Sequence, residues 1–139
     1  MAGITTYASF VAAIAALDVS GVTKKYANPP LALNTADLPA SWVQLPGGKE
    51  GRVTLRDEGG WPTFLVQFVV ALEAVAQDRQ SANFTAAVAM MDKISAALRA
   101  LGPIEICRGG LVTWAMKVAT TTVAGIDFWA VAVDIEGRG

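Results

Sequence analysis

Between Ser81 and Leu101 apolar residues recur at steps of three and four. Phe84, Val88, Met91, Ile94, Leu98 and Leu101 make one stripe of an amphipathic helix. Ser81 suits the N-cap, where its hydroxyl accepts a hydrogen bond from a free N–H of the first turn. Gly102 suits the left-handed position past the last turn, and Pro103 stops the helix. Polar Asn83, Asp92, Lys93 and Arg99 fall largely off the stripe. One face of this helix must therefore lie on something apolar. Ile4 to Leu17 repeats the spacing with Tyr7, Phe10, Val11, Ile14 and Leu17, predicting a second helix closed by Asp18 and Ser20-Gly21.

Elsewhere the period drops to two. Phe64, Val66, Phe68, Val70 and Leu72 line one face of Thr63 to Glu73, while Leu65, Gln67, Val69, Ala71 and Glu73 line the other. Helical spacing also gathers Phe64, Phe68 and Leu72, but the β-branched and aromatic content decides for a long strand. Val112, Trp114, Met116 and Val118 share a face of one later strand, and Trp129, Val131, Val133 and Ile135 a face of the next. Ala124-Gly125 makes the tight turn between them. Trp42 to Leu45 predicts a short strand stopped by Pro46-Gly47-Gly48. Residues 22–41 form a long connection through Asn28-Pro29-Pro30 and Leu38-Pro39, extended and with little ladder pairing, of a length that often serves external contacts. Lys49 to Glu58 holds Lys49, Glu50, Arg52, Arg56, Asp57 and Glu58 between glycines, which predicts a projecting hairpin arm at 46–62. Trp61, after Gly59-Gly60, suits an aromatic anchor for a partner as well as it suits the core.

Composition sharpens this picture. The 139 residues suffice for one domain, residues 1–139; 53% are hydrophobic and only 17% charged, against about a quarter in ordinary soluble domains. So little charge points to a chain covered on several sides. No apolar run reaches the ~20 residues a membrane-spanning helix needs. The net charge of −1 sets up no basic field toward nucleic acid, and Lys24-Lys25 with Arg108 are too sparse for a phosphate-binding patch. The N-terminus has no basic start or cleavage site of a signal peptide, which predicts a cytoplasmic site of folding. The closing Ile135 to Gly139 matches a protease recognition sequence and carries no functional weight.

Candidate chemistry is scarce. With no histidine, the commonest general base and metal ligand is missing, along with Ser-His-Asp and Cys-His arrangements. The single Cys107 excludes an internal disulfide and a cysteine-based zinc site; it is expected to be a small buried hydrophobe. Asp57-Glu58 are strand neighbours and point to opposite faces; Asp127 and Asp134 stand at odd separation and do the same. Pro46 to Gly51 lacks phosphate-loop spacing and precedes a strand. No catalytic residue, metal ligand or cofactor is expected. A pocket between sheet and helices, using Gln67 and Glu73, is the alternative from another class.

Three stretches carry a likeness. Val70-Ala71-Leu72-Glu73-Ala74-Val75-Ala76-Gln77 runs into Ser81-Ala82-Asn83-Phe84, Met90-Met91-Asp92 lies within the helix, and Val123 to Val131 closes the chain. With the element order they resemble the tail-terminator and tail-completion (neck) proteins of long-tailed bacteriophages, a family without a catalytic motif. The resemblance implies an α+β fold, read here as an antiparallel sheet of about five strands with two helices on one face. It further implies a homo-oligomeric ring, commonly a hexamer, at the head-proximal end of the tail tube. Such a ring ends tube polymerisation, docks the head through a connector protein, and passes DNA through its channel without specific binding. The virion tail or neck is then the location, reached by assembly in the host cytoplasm. Lys49, Glu50, Arg52, Arg56, Asp57, Glu58 and Trp61 are the candidate subunit contacts. A head–tail connector is the near alternative, and residues 28–39 have no counterpart in the family.

Overall fold

A computed structural model describes residues 6–49, 63–75, 80–100 and 110–138. The order is α1 (Tyr7–Ala15), β1 (Lys24–Lys25), a 3-10 turn (Thr35–Asp37), β2 (Ala40–Lys49), β3 (Thr63–Ala74), α2 (Gln80–Ala100), β4 (Gly110–Val123) and β5 (Ile126–Arg138). The strands form one five-stranded sheet in the order β1-β2-β3-β5-β4. Among the described residues only the two-residue β1 runs parallel to its neighbour, and every other pairing is antiparallel. This is the α+β fold expected, with both helices on one face of the sheet.

Period-two patterning explains the helix-side core. Phe64, Val66, Phe68 and Val70 of β3 meet Val131, Val133 and Ile135 of β5, with Trp114, Met116 and Val118 of β4 partly buried beside them. Helix α1 adds Phe10 and Ile14; α2 adds Ala87, Met90, Ile94 and Leu98. Thr6 caps α1, its Oγ1 accepting from the Ser9 N–H at 3.2 Å. The Tyr7 ring stands edge-on to Phe64 and Phe10 stacks on it, each at 5.1 Å. At the β4–β5 turn Ala124 and Gly125 take φ of 53° and 79°, the left-handed pair that a two-residue hairpin requires.

Several expectations need correction. The buried stripe of α2 is Ala87, Met90, Ile94 and Leu98; Phe84 is 67% exposed and Val88 42%. Helix α2 starts at Gln80, one residue before the expected cap, and α1 ends at Ala15, before Leu17. Strand β2 does not stop at Pro46. It absorbs Pro46-Gly47-Gly48 through an irregularity between Gln44 and Gly47, where Leu45 takes φ 50°, and resumes pairing with β3 as far as Lys49.

The connection 22–41 is the largest departure, because it covers the far face of the sheet. Lys24 and Lys25 pair with Ala40 and Ser41, and the Tyr26 N–H donates to the Ser41 carbonyl at 2.8 Å. Tyr26, Leu33 and Leu38 then close over a second core of Ala40, Trp42, Val69, Ala71, Val123, Phe128 and Ala130. Trp114, beside the helix-side core, and Trp129 are both half-buried, while among the described residues the fully buried tryptophan is Trp42, on the opposite face.

Candidate functional site

Three surfaces stand out. The first is a polar ladder on the far face, below the Trp42 core. Trp42 Nε1 donates to Gln44 Oε1 at 3.0 Å, Gln44 Nε2 to Gln67 Oε1 at 2.6 Å, and Gln67 Nε2 to Asp134 Oδ1 at 3.1 Å. The register makes this possible: Gln44, Gln67 and Asp134 are direct partners across β2, β3 and β5. Beside it lies a shallow hollow of about 370 Å³, lined by Leu45, Leu65, Thr113, Ala115 and Glu136. Asp134 and Glu136 share this face at period two, a same-face carboxylate pair that the sequence reading passed over. Asp134 is committed to Gln67. The ladder links three strand positions in line, with Trp42 joined along β2, and offers a substrate few unspent polar atoms.

The second surface is a groove of about 730 Å³ at the β1–β2 side of the sheet. The face of α1 carrying Ala8, Val11, Ala12 and Ala15 makes one wall; Tyr26 to Asn28 and Pro46 make the other. Lys25 sits at its rim with its ammonium engaged by Asp18 and by the Ala16 carbonyl. Asp18 is held below the usual carboxylate range, first by the hydrogen bond from Lys25 and then by its charge. Lys24 lies 3.9 Å from Asp37 and 5.0 Å from the centre of the Tyr26 ring. Lys25 thus ties the connection to the end of α1, whereas Lys24 links parts of the connection to one another. Alanine at every turn of α1 makes the groove smooth and apolar.

The third is the open edge of the sheet. Strand β4 is fourteen residues long and, among the described residues, pairs only with β5. Its outer row of backbone N–H and C=O groups has no ladder partner there.

Of the expected contact residues, Lys49 lies at the end of β2, exposed and opposite Thr63. Glu50, Arg52, Arg56, Asp57, Glu58 and Trp61 lie outside the described residues, as do Cys107 and Arg108. The proposed ligand pair is not brought together. A bulge at Leu72 sets Glu73 opposite Trp129, in the row of Val131 and Val133, whereas Gln67 faces Asp134 in the row of Ala130 and Ala132. Asp127 accepts from Thr122 Oγ1, apart from Asp134. Among the described residues no group of three or more potential metal ligands occurs, and no helix is long and apolar enough to cross a membrane.

No protein-family model matches the chain, and no curated protein matches it.

Proposed function

We propose that this chain is a structural subunit of a long-tailed bacteriophage virion, a tail terminator that closes into a hexameric ring on the head-proximal end of the tail tube. The observation that carries the reading is where apolar surface is left. Phe84 and Val88 on α2, Tyr7 on α1, Leu45 and Leu65 on the hairpin, and Ile126 beside the last turn are all exposed in the single protomer. A chain with so little charge and apolar groups on several sides is suited to burial among neighbours. The element order of the resemblance supports the same reading. In this assembly the protein works by shape, ending the tube, presenting a surface to the connector and leaving a channel for DNA.

The charged arm supplies further subunit contacts: Lys49, Glu50, Arg52, Arg56, Asp57, Glu58 and Trp61. Deleting residues 49–58 then impairs ring formation while the protomer stays folded, and unchanged assembly removes the arm from the interface. The decisive experiment is the solution mass of the protein with and without tail-tube protein, together with electron microscopy of virions lacking it. Overlong tails support a terminator. Normal tails beside unjoined heads move the assignment to a connector. A monomer that never joins tails overturns both.

A further inference from the structure

Resting on the ring reading, the geometry points to how successive copies join: we propose that the open β4 edge of one protomer enters the α1 groove of the next and pairs there with the free edge of β2. The argument begins with strand direction. From β2 to β4 the strands alternate, so β2 and β4 run opposite ways at the two ends of the sheet. Copies related by rotation about an axis along the strands therefore bring β4 beside the neighbour's β2 in antiparallel sense. Antiparallel is the better-bonded arrangement. A contact between two different edges repeats until a ring closes, whereas β4 against its own counterpart would stop at two copies.

The two edges are also built differently. Strand β1 covers only Ala40 and Ser41 of β2; beyond them, among the described residues, no strand lies on that edge. Where Tyr26 to Asn28 separate from β2, the groove opens between them and α1. Alanines and Val11 of α1 make one apolar wall, and Pro46 marks where the β2 edge borders the groove; a slot of this kind beside a strand edge accepts an added extended strand. Strand β4 carries the small residues Thr113, Ala115, Ala119, Thr120, Thr121 and Thr122 with Lys117 as its one charge, while its large Trp114 and Met116 pack on the protomer's own helix-side core. Pro46 removes one donor from the β2 edge, so the shared ladder has a gap at that position. Charge agrees in sign. Exposed Lys24, Lys25 and Lys49 lie on the β2 side, partly offset by Asp18 and Asp37, while Asp127, Asp134 and Glu136 lie on β5 next to β4.

Two kinds of variant test the contact. Ala12 is exposed on α1 and lines the groove, so Ala12→Glu blocks the groove without entering the core. Of consecutive residues Ala115 and Met116, one turns its N–H to β5 and the other outward. Proline at the outward position, identified as the variant that keeps the native circular dichroism, blocks the edge. The expected result by light scattering is that wild type assembles and each variant alone is monomeric. Mixing the two kinds yields a dimer of twice the protomer mass and nothing larger, because one intact groove and one intact edge remain. Assembly unaffected by either block overturns this contact and leaves the ring reading standing. Loss of assembly by the edge variants alone, with Ala12→Glu unaffected, also overturns it. A wild type that stays monomeric with tube protein present removes the ring reading itself.

Discussion

Gly48 lies where the Tyr7 ring crosses β2, and a Cβ built there would stand 2.1 Å from a ring carbon. Glycine inside a strand marks such a close approach. In Gly48→Ala the ring must swing away and give up its edge-on contact with Phe64, so the variant loses about 1 kcal/mol of stability in urea unfolding. Made on a Tyr7→Ala background, the same change costs almost nothing further, since the clashing partner is gone. The Asp18–Lys25 pair makes a prediction in pH. A carboxyl held low adds stability above its ordinary titration range and loses that contribution as pH falls through its lowered folded value. Asp18 is almost fully exposed, so the effect on folding is slight and is screened by salt. The titration itself is the readout. By NMR, Asp18 titrates below the usual aspartate range in the native protein and returns to it in Lys25→Ala.

Helix α2 shows how much of each element could be read from its spacing. The pattern contains two overlapping apolar stripes. One, the stripe read from the spacing, runs through Phe84, Val88, Met91, Ile94, Leu98 and Leu101; the other runs through Ala87 and Met90 and shares Ile94 and Leu98. At 3.6 residues per turn, Val88 stands roughly 120° round the helix from Ile94. The fold buries the second stripe, and Ile94 is fully enclosed. Ile94→Ala therefore costs about 2–5 kcal/mol, whereas Phe84→Ala stays within about 0.5 kcal/mol because its ring is already wet. Thermal unfolding of the two variants separates them. Spacing alone could not choose between the stripes, since both satisfy the helical period and only the partner surface decides. Strand β3 was legible because its apolar residues alternate with no competing pattern of comparable strength. The extent of β2 was hidden by Pro46-Gly47-Gly48, a turn signal that an irregular edge strand tolerates. The far-face ladder was hidden for another reason. Gln44, Gln67 and Asp134 lie on three strands, and only the register brings them into line.

At the scale of the whole molecule, the sheet has apolar residues on both faces but, among the described residues, α-helices on only one, and another segment covers the other. The connection 22–41 does this at the β1 end, and Trp42, 1% exposed, is the side chain it closes over. Its length suggested an external role, and its prolines, which remove ladder donors, suggested little pairing. Yet few ladder bonds are needed when Tyr26, Leu33 and Leu38 hold the segment by burial. The cover is fastened by few backbone bonds, among them Thr23 N–H to the Pro39 carbonyl at 2.7 Å and Tyr26 N–H to the Ser41 carbonyl at 2.8 Å. Removing the indole in Trp42→Ala takes away the surface beneath it and costs about 3–5 kcal/mol. The loss should be uneven. The helix-side core keeps Phe64, Phe68, Val131 and Val133 in contact, so the far face opens as a separate unit before the rest. Hydrogen exchange then shows the amides of Thr23 and Tyr26 losing protection in the variant well ahead of those in β3 and β5. Equal loss across all of them would mean that the two faces form one cooperative unit and that the connection is no separable cover.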